Sequence, residues 1–340
     1  MIIEFGDNSY KSKRKMPPKN NNNIRKRKIF SISMVKNEAD IIESFVRYHC
    51  NIFDGMIIKD NYSSDNTLEI LEALRNEGKP IYILKDTSTE FAQSEKMTEL
   101  LYYTANKYNP DIIVPLDADE FLTSHKNIGN PVNILNEIDD SKVYHLKWVN
   151  YIPHMADDLS EKFIPKRMKF ARVDRASFEK VIVSTKIVNK YPIKLWQGNH
   201  GVENINDWEK ERLNELRIAH FPVRSIKQIE SKILVGWINN LSRHNRNEDE
   251  AWHWRGLFEK IKCGGVLKQE DIIKIAKEYC SEDKNSYIQI IEKPMDLSFC
   301  KDIETRYTQD EEINPLKNLL ENCEKLARAY AELRGQFLAK

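Results

Sequence analysis

The sequence predicts an α/β protein with a mostly parallel central sheet flanked by helices, followed by a helical C-terminal region. Two observations lead to this. Between residues 29 and 122, short apolar runs alternate with stretches of helical spacing, and strands joined through helix-length segments form right-handed βαβ units. The last apolar run, Ile112-Ile113-Val114-Pro115-Leu116, ends in Asp117-Ala118-Asp119-Glu120-Phe121-Leu122, a carboxylate cluster where open α/β sheets bind ligands.

Residues 29–35 alternate as a strand does, and Asn37-Glu38-Ala39-Asp40 reads as a helix start with a cap and an acidic third position. The helix runs through His49 and buries Ile41, Ile42, Phe45, Val46 and Cys50. A second strand covers 55–59. The polar run Asp60-Asn61-Tyr62-Ser63-Ser64-Asp65-Asn66-Thr67 is a loop opening a helix that carries Leu68, Ile70, Leu71 and Leu74. Residues 81–84 make a third strand and 95–107 a third helix, and the Ile112 strand then delivers the acidic motif. After Phe121 the pattern is less regular, with strand-like segments near 143–149 and 181–188. From about Ser225 the chain turns helical. Leu316, Leu319, Leu320, Cys323, Leu326, Ala327, Tyr330, Leu333 and Phe337 form one apolar stripe, which reads as core packing. A docking helix for a second subunit or a membrane surface is the alternative.

A length of 340 residues allows one large domain or two modest ones. The net charge of +1 gives no support to a nucleic-acid partner. Positive charge is concentrated in residues 1–28, where Lys11, Lys13, Arg14, Lys15, Lys19, Arg25, Lys26, Arg27 and Lys28 surround an asparagine run. This segment reads as a disordered basic tail, either a solubilising arm or a peripheral contact with anionic lipid. Five widely spaced cysteines without a CxxC pair indicate neither zinc nor a disulfide framework. With no apolar run of membrane-spanning length and no signal-peptide segment, the expected place is the cytoplasm, reaching at most the inner face of a membrane.

On an extended chain, residues two apart point to one side, so Asp117 and Asp119 are expected to reach a single cation. Carboxylate oxygens suit Mn²⁺ or Mg²⁺, which complete their coordination with water and a substrate's phosphates. The simpler reading is that the pair opens a turn after the strand. Asp60, ending the second strand, either accepts hydrogen bonds from a ribose or base or organises its own turn and caps the next helix. Neither GxGxxG nor GxxxxGK[ST] is present, so a dinucleotide fold or P-loop has no support.

The Val35-Lys36-Asn37-Glu38 start, the Asp60 to Thr67 loop and Asp117-Ala118-Asp119-Glu120-Phe121 together resemble the family-2 glycosyltransferases of GT-A fold. The resemblance is to the bacterial subset whose DXD motif reads DxDEF, which is also similar to family 92. Downstream, His220-Phe221-Pro222-Val223-Arg224-Ser225, with Lys232 and Gly236, resembles that subset's HYxxKS segment, and Gly198-Asn199-His200 falls where the subset often has another histidine. The resemblance implies a nucleotide-sugar donor, with a donor half over 29–122, an acceptor half over 123–224 and a helical region over 225–340. Lys36, Asn37, Glu38 and Asp60 then face the donor, Asp60 near uracil or ribose, while Asp117 and Asp119 hold the metal against the diphosphate. His220 is the first choice for an added metal ligand and His200 the second; the alternative for each is a buried, hydrogen-bonded histidine. Arg224 pairs either with donor phosphate or in a surface salt bridge.

Family-2 members generally invert the anomeric centre, which calls for a carboxylate to take the acceptor proton. Glu203 is the candidate, with Asp174 and Asp158 as rivals. The sequence departs from the family at Trp148-Val149-Asn150-Tyr151 and at Lys227-Gln228, leaving the acceptor open among glycan, lipid-linked and protein-linked hydroxyls, with surface polysaccharide assembly the implied setting. A haloacid-dehalogenase-like phosphatase would also carry DxD after an apolar strand, but Phe121 stands where its Thr or Val belongs, and three strands precede the motif. A non-catalytic sugar-nucleotide-binding module is the other alternative. The oligomeric state is open.

Overall fold

The computed structural model describes residues 26–88, 92–125, 129–173, 178–243, 252–279, 288–308 and 313–338. Most of the basic tail, residues 1–25, and Asp174 lie outside them. The chain begins with β1 (Ile29–Val35), α1 (Ile42–His49), β2 (Gly55–Asp60), α2 (Thr67–Asn76), β3 (Ile81–Lys85), α3 (Gln93–Tyr108) and β4 (Ile112–Pro115). Strands β4, β1, β2 and β3 lie side by side in that order, all parallel.

Strand β1 is buried along its whole length, and its period of two splits the core. Phe30, Ile32 and Met34 pack with Met97, Leu100 and Leu101 of α3 on one face. Ile29 and Val35 pack on the other with Ile42, Phe45 and Val46 of α1 and Ile70, Leu71 and Leu74 of α2. Both faces of the sheet are thereby covered, as parallel strands require.

Next come β5 (Glu120–Ser124), α4 (Val132–Leu135), β6 (Val143–Ile152), α5 (Ile164–Arg167), β7 (Phe170–Val173), β8 (Glu179–Ser184), α6 (Thr185–Lys190), β9 (Lys194–Leu195), β10 (Val202–Glu203) and β11 (Lys210–His220). Here the sheet changes direction. Strand β8 runs antiparallel to both β4 and β6, and β11 lies antiparallel to β5 but parallel to β6. The expected parallel pairing therefore holds for the first half, and the complete sheet is mixed. Residues 181–188 are not one strand: the Ser184 hydroxyl accepts the Ile187 N–H and starts α6.

The C-terminal stretch contains α7 (Ile226–Leu241), α8 (Trp252–Lys262), α9 (Gln269–Glu278), β12 (Gln289–Glu292) and α10 (Pro315–Leu338). It is not purely helical, because β12 pairs antiparallel with β7 at the sheet edge. No helix among the described residues is long and apolar enough to cross a membrane.

The apolar stripe of α10 does not pack as core. Its buried face is polar, with Asn318 Nδ2 donating to Ser231 Oγ (2.9 Å) and Asn322 Nδ2 to Asn239 Oδ1 (2.9 Å), both on α7. Leu316, Leu320, Tyr330 and Leu333 are 60–64% exposed. The helix turns its asparagines inward because α7 presents amides and a hydroxyl there, and buried polar groups must find partners.

Residues 302–308 are fastened to α1 through Glu43. This fully buried carboxylate accepts the backbone N–H groups of Arg306 (2.7 Å), Tyr307 (2.8 Å) and Thr308 (2.8 Å) and pairs with Arg47 Nε (2.8 Å). Arg47 in turn holds Glu77 and Asp302. Removing one partner of such a buried network strands the others. Glu43→Ala is accordingly expected to lower unfolding stability by about 3–5 kcal/mol in urea titration, and a loss under ~1 kcal/mol would show that the clasp is not structural.

Candidate functional site

Two loops leave the carboxyl ends of β1 and β2 and are laced together by their own polar atoms. Asn37 N donates to Ser63 Oγ (3.0 Å), Ser64 N to Asn37 Oδ1 (2.6 Å), Glu38 N to Thr67 Oγ1 (2.8 Å) and Ala39 N to Asp65 Oδ2 (3.1 Å). Asn37 and Tyr62 both take positive φ of 58°, so the expected capping geometry at Asn37 is lost and α1 starts at Ile42 with no side-chain cap. Asp60 accepts both the N–H (3.2 Å) and the hydroxyl (2.5 Å) of Ser63. This is the turn-organising one of the two roles expected of it.

Two ammonium groups clasp this loop. Lys36 Nζ donates to the carbonyls of Asn61 (3.0 Å) and Tyr62 (3.3 Å). Lys325 Nζ reaches across from α10 to the carbonyls of Tyr62 (3.0 Å) and Ser63 (2.8 Å) and sits 4.0 Å over the Tyr62 ring. Burial, with Lys325 adding repulsion, brings Lys36 down to about 8. One donor is left over: Asn37 Nδ2 is buried without a partner.

The acidic motif is a turn, not an extended segment. Glu120 N donates to Asp117 O (3.1 Å), while Glu120 Oε2 accepts Asp117 N (2.9 Å). The two aspartates consequently engage different partners. Asp117 takes Lys180 Nζ (2.7 Å) on one oxygen and Gln93 Nε2 (3.0 Å) on the other. Lys180 also meets Glu120 (2.9 Å). Asp119 faces Lys232 Nζ (3.3 Å), His220 Nε2 (3.7 Å) and Arg224 (3.9 Å) through one oxygen. Burial alone would raise the Asp119 carboxyl, yet the Lys232 ammonium, with the Arg224 guanidinium behind it, holds it well below the ordinary carboxylate range.

His220, the first residue chosen for ligation, is buried between strands. Its ring stacks on Trp148 at 4.2 Å, and its Nδ1 meets Asn150 Oδ1 at 2.8 Å. The amide oxygen accepts, so Nδ1 carries the proton and Nε2 keeps its lone pair. Burial lowers the His220 pKa, which favours the neutral ring. A lone pair therefore confronts a carboxylate across 3.7 Å, an arrangement that a shared cation satisfies. Among the described residues no three His, Cys, Asp or Glu side chains converge as a metal cage. Asp119 with His220 nonetheless fits Mn²⁺ or Mg²⁺, since these ions commonly take few protein ligands and fill the rest with phosphate and water.

His200 lies on the Asp117 side. Its Nδ1 meets Glu179 O (2.9 Å), its ring packs on Trp148 and Phe178, and a Cβ at Gly198 would strike its Nε2. Burial and Lys180 bring it down to about 4. It is half-buried and hydrogen-bonded to the backbone. Arg224 is neither a surface salt bridge nor an open phosphate holder: its buried guanidinium binds Asp40 through two nitrogens (2.6 and 2.8 Å), Glu38 (2.7 Å) and Phe221 O (3.0 Å). Burial pushes the Glu38 carboxyl up to about 7 against the pull of Arg224. The half-buried cation beside Asp119 is Lys232 instead.

Glu203 is exposed on β10 and lines a cavity of about 340 Å³ with Gln93, Trp196 and Gln197. Asp158 is exposed and occupied with its own turn, accepting Ser160 N (3.0 Å) and Oγ (2.6 Å). Sequence reasoning did not find Gln93, Asn150 or Lys180. Lys180 offers one signal, a charge running directly into the apolar Val181-Ile182-Val183 of its strand, while Gln93 and Asn150 carry none.

No protein-family model matches this chain, and no curated protein does. Among solved structures it is similar to residues 1–349 of TarS from S. aureus, with 12% identity over 68% of this chain and 69% of that one and a TM-score of 0.36. It is also similar to the mannosyltransferase PcManGT from Pyrobaculum calidifontis, solved with GDP-Man and Mn²⁺, with 10% identity, 74% and 71% coverage and a TM-score of 0.37. Glucosyl-3-phosphoglycerate synthase from Mycobacterium tuberculosis, solved with Mn²⁺, UDP-Glc and phosphoglyceric acid, shares 19% identity over 36% of this chain and 44% of its own, with a TM-score of 0.25.

Glu120 gives the site a pH signature. Burial pushes its carboxyl from 4.5 up to about 8 against the attraction of Lys180, and its Oε1 is buried with no partner. The folded value lies above the unfolded one, so the stability Glu120 contributes is complete below pH 4.5 and is lost as pH rises through about 8. The Tm advantage of the wild type over Glu120→Gln should therefore shrink steadily across that window. A difference independent of pH would show that Glu120 is ionised throughout.

Proposed function

We propose that this chain is a metal-dependent glycosyltransferase that moves a sugar from a nucleotide-diphosphate donor, a UDP-sugar, to a glycan or lipid-linked hydroxyl with inversion. The observation that carries this reading is the buried Asp119 carboxylate facing the unprotonated Nε2 of His220, with the Lys232 ammonium beside it. An anion, a lone pair and a half-buried cation at the carboxyl end of a parallel strand make a place for a metal and a diphosphate together.

Asp119 and His220 are the residues to hold Mn²⁺ or Mg²⁺. Asp117 contributes through its remaining lone pairs, since Lys180 and Gln93 take one each. Held by these residues, such an ion would supply Lewis-acid neutralisation of the diphosphate charge, which would make the diphosphate a better leaving group. Lys232, on its flexible stem, meets the same phosphates as a point charge. The unpartnered Asn37 Nδ2 offers a hydrogen bond to the nucleotide, and the laced loops keep that amide in place. Arg224 fixes Glu38 and Asp40 beneath the site and does not touch donor. Glu203, in the cavity that shares Gln93 with Asp117, takes the proton of the attacking hydroxyl.

Donor binding tests this directly. At a UDP-sugar concentration about 100 times Kd, binding to the folded state adds ~2.7 kcal/mol and raises Tm. The rise should require Mn²⁺ or Mg²⁺ and disappear in Asp119→Asn, which keeps the shape but removes the charge. An equal rise in EDTA, or an undiminished one in Asp119→Asn, overturns the reading.

A further inference from the structure

We infer that Trp196 and the cavity beside it form a binding subsite for a neutral saccharide ring, the acceptor sugar of the proposed transfer. The inference rests on the glycosyltransferase reading for its role in the reaction, and it shares Gln93 and Glu203 with that reading, while Trp196, Gln197 and Ser94 are residues that reading does not use.

Trp196 is an exposed aromatic held in a fixed place. Leu195, just before it, is buried in the core, and its backbone is gripped on both sides by α3: Leu195 N donates to Thr98 Oγ1 (3.0 Å), and Ser94 Oγ donates to Leu195 O (2.6 Å). Trp196 N then donates to Gly201 O (2.9 Å), closing the β9–β10 hairpin. The indole lies on Gly201 so closely that a Cβ there would come within 2.6 Å of the ring, so only glycine lets the ring settle. The result is a rigid indole that leaves 47% of its surface to solvent. Rigid exposed aromatics with polar neighbours mark binding surfaces.

The chemistry around the ring selects the ligand. The negative face of an aromatic attracts the weakly positive C–H bonds of a sugar face, while a sugar's rim of hydroxyls needs donors and acceptors at its edge. The cavity supplies them through Gln93, Gln197 and Ser94. Its charged lining is balanced, Lys194 and Arg243 against Glu95 and Glu203, which suits an uncharged ligand. The volume of about 340 Å³ falls within the range of small-molecule sites.

The connection to the reaction centre is Gln93. Its Oε1 accepts Gly198 N (3.0 Å) in the loop after Trp196, its Nε2 donates to Asp117 (3.0 Å), and its side chain lines the cavity. One residue therefore forms the wall between the saccharide cavity and the acidic turn.

Saturation-transfer NMR on the full chain, without donor or metal, tests the subsite with chitotriose, cellotriose, maltotriose and mannotriose as probes. At least one trisaccharide should give transfer to the wild type. Transfer should fall about tenfold or more in Trp196→Ala and persist in Trp196→Phe, which keeps a ring. Trp208→Ala, removing the 72% exposed tryptophan outside the cavity, should leave it unchanged. Circular dichroism confirms folding, and the half-exposed position of Trp196 makes a folding failure avoidable. Absence of transfer from all four probes, equal transfer in Trp196→Ala, or equal loss in Trp208→Ala overturns the inference. The outcome is separable from the donor reading, because the metal-dependent UDP-sugar shift in Tm is measured without saccharide and should survive Trp196→Ala.

Discussion

The site depends on one buried guanidinium. Arg224 follows β11 and reaches back to Asp40 and Glu38 after β1, with the Phe221 carbonyl and Asp119 on its remaining side. Taking such a charge out of water is costly, and only a fully occupied set of acceptors offsets the cost. Four of its five N–H donors are used within hydrogen-bond distance, so the ends of β1 and β11 can approach in only one arrangement. That arrangement brings His220 and Lys232, on either side of Arg224 in the chain, to the Asp119 carboxylate.

Around this centre the charges are sorted by their neighbours. Asp119 stays ionised because the Lys232 and Arg224 cations outweigh its burial, whereas Glu120 one residue later is pushed toward its neutral form. Adjacent carboxylates with opposite tendencies arise because the turn aims them into different surroundings. Asp117 is anchored between Lys180 and Gln93, which ties the acidic turn to β8 and α3.

The loops after β1 and β2 show the same economy of parts. Asp60, Asp65 and Asn37 serve mainly to fix backbone, and Lys325 from the final helix completes the clasp. The C-terminal region is thus part of the site's support, through Lys325 on one side and the Glu43 clasp of residues 306–308 on the other. The inward asparagines of α10 follow from this docking: the helix is oriented by what α7 and the Asp60 loop offer.

The sequence by itself determined the alternation of strands and helices from Ile29 to Pro115, because periods of two and near four are local and survive without knowledge of partners. It also located the acidic motif at the end of β4, which needs only an apolar run followed by polar residues, but read it as extended where the chain makes a turn. The partners of each carboxylate were not legible, since Asp117 meets Lys180 across 63 residues, His220 meets Asn150 across 70 and Asp119 meets Lys232 across 113. The stripe on α10 misled for the same reason: periodicity reports that a face is apolar, while only packing decides whether that face is covered. Tertiary structure therefore settled which charges are neutralised, which way the histidines turn and where the sheet reverses direction, because those outcomes rest on contacts between segments that the chain brings together only on folding.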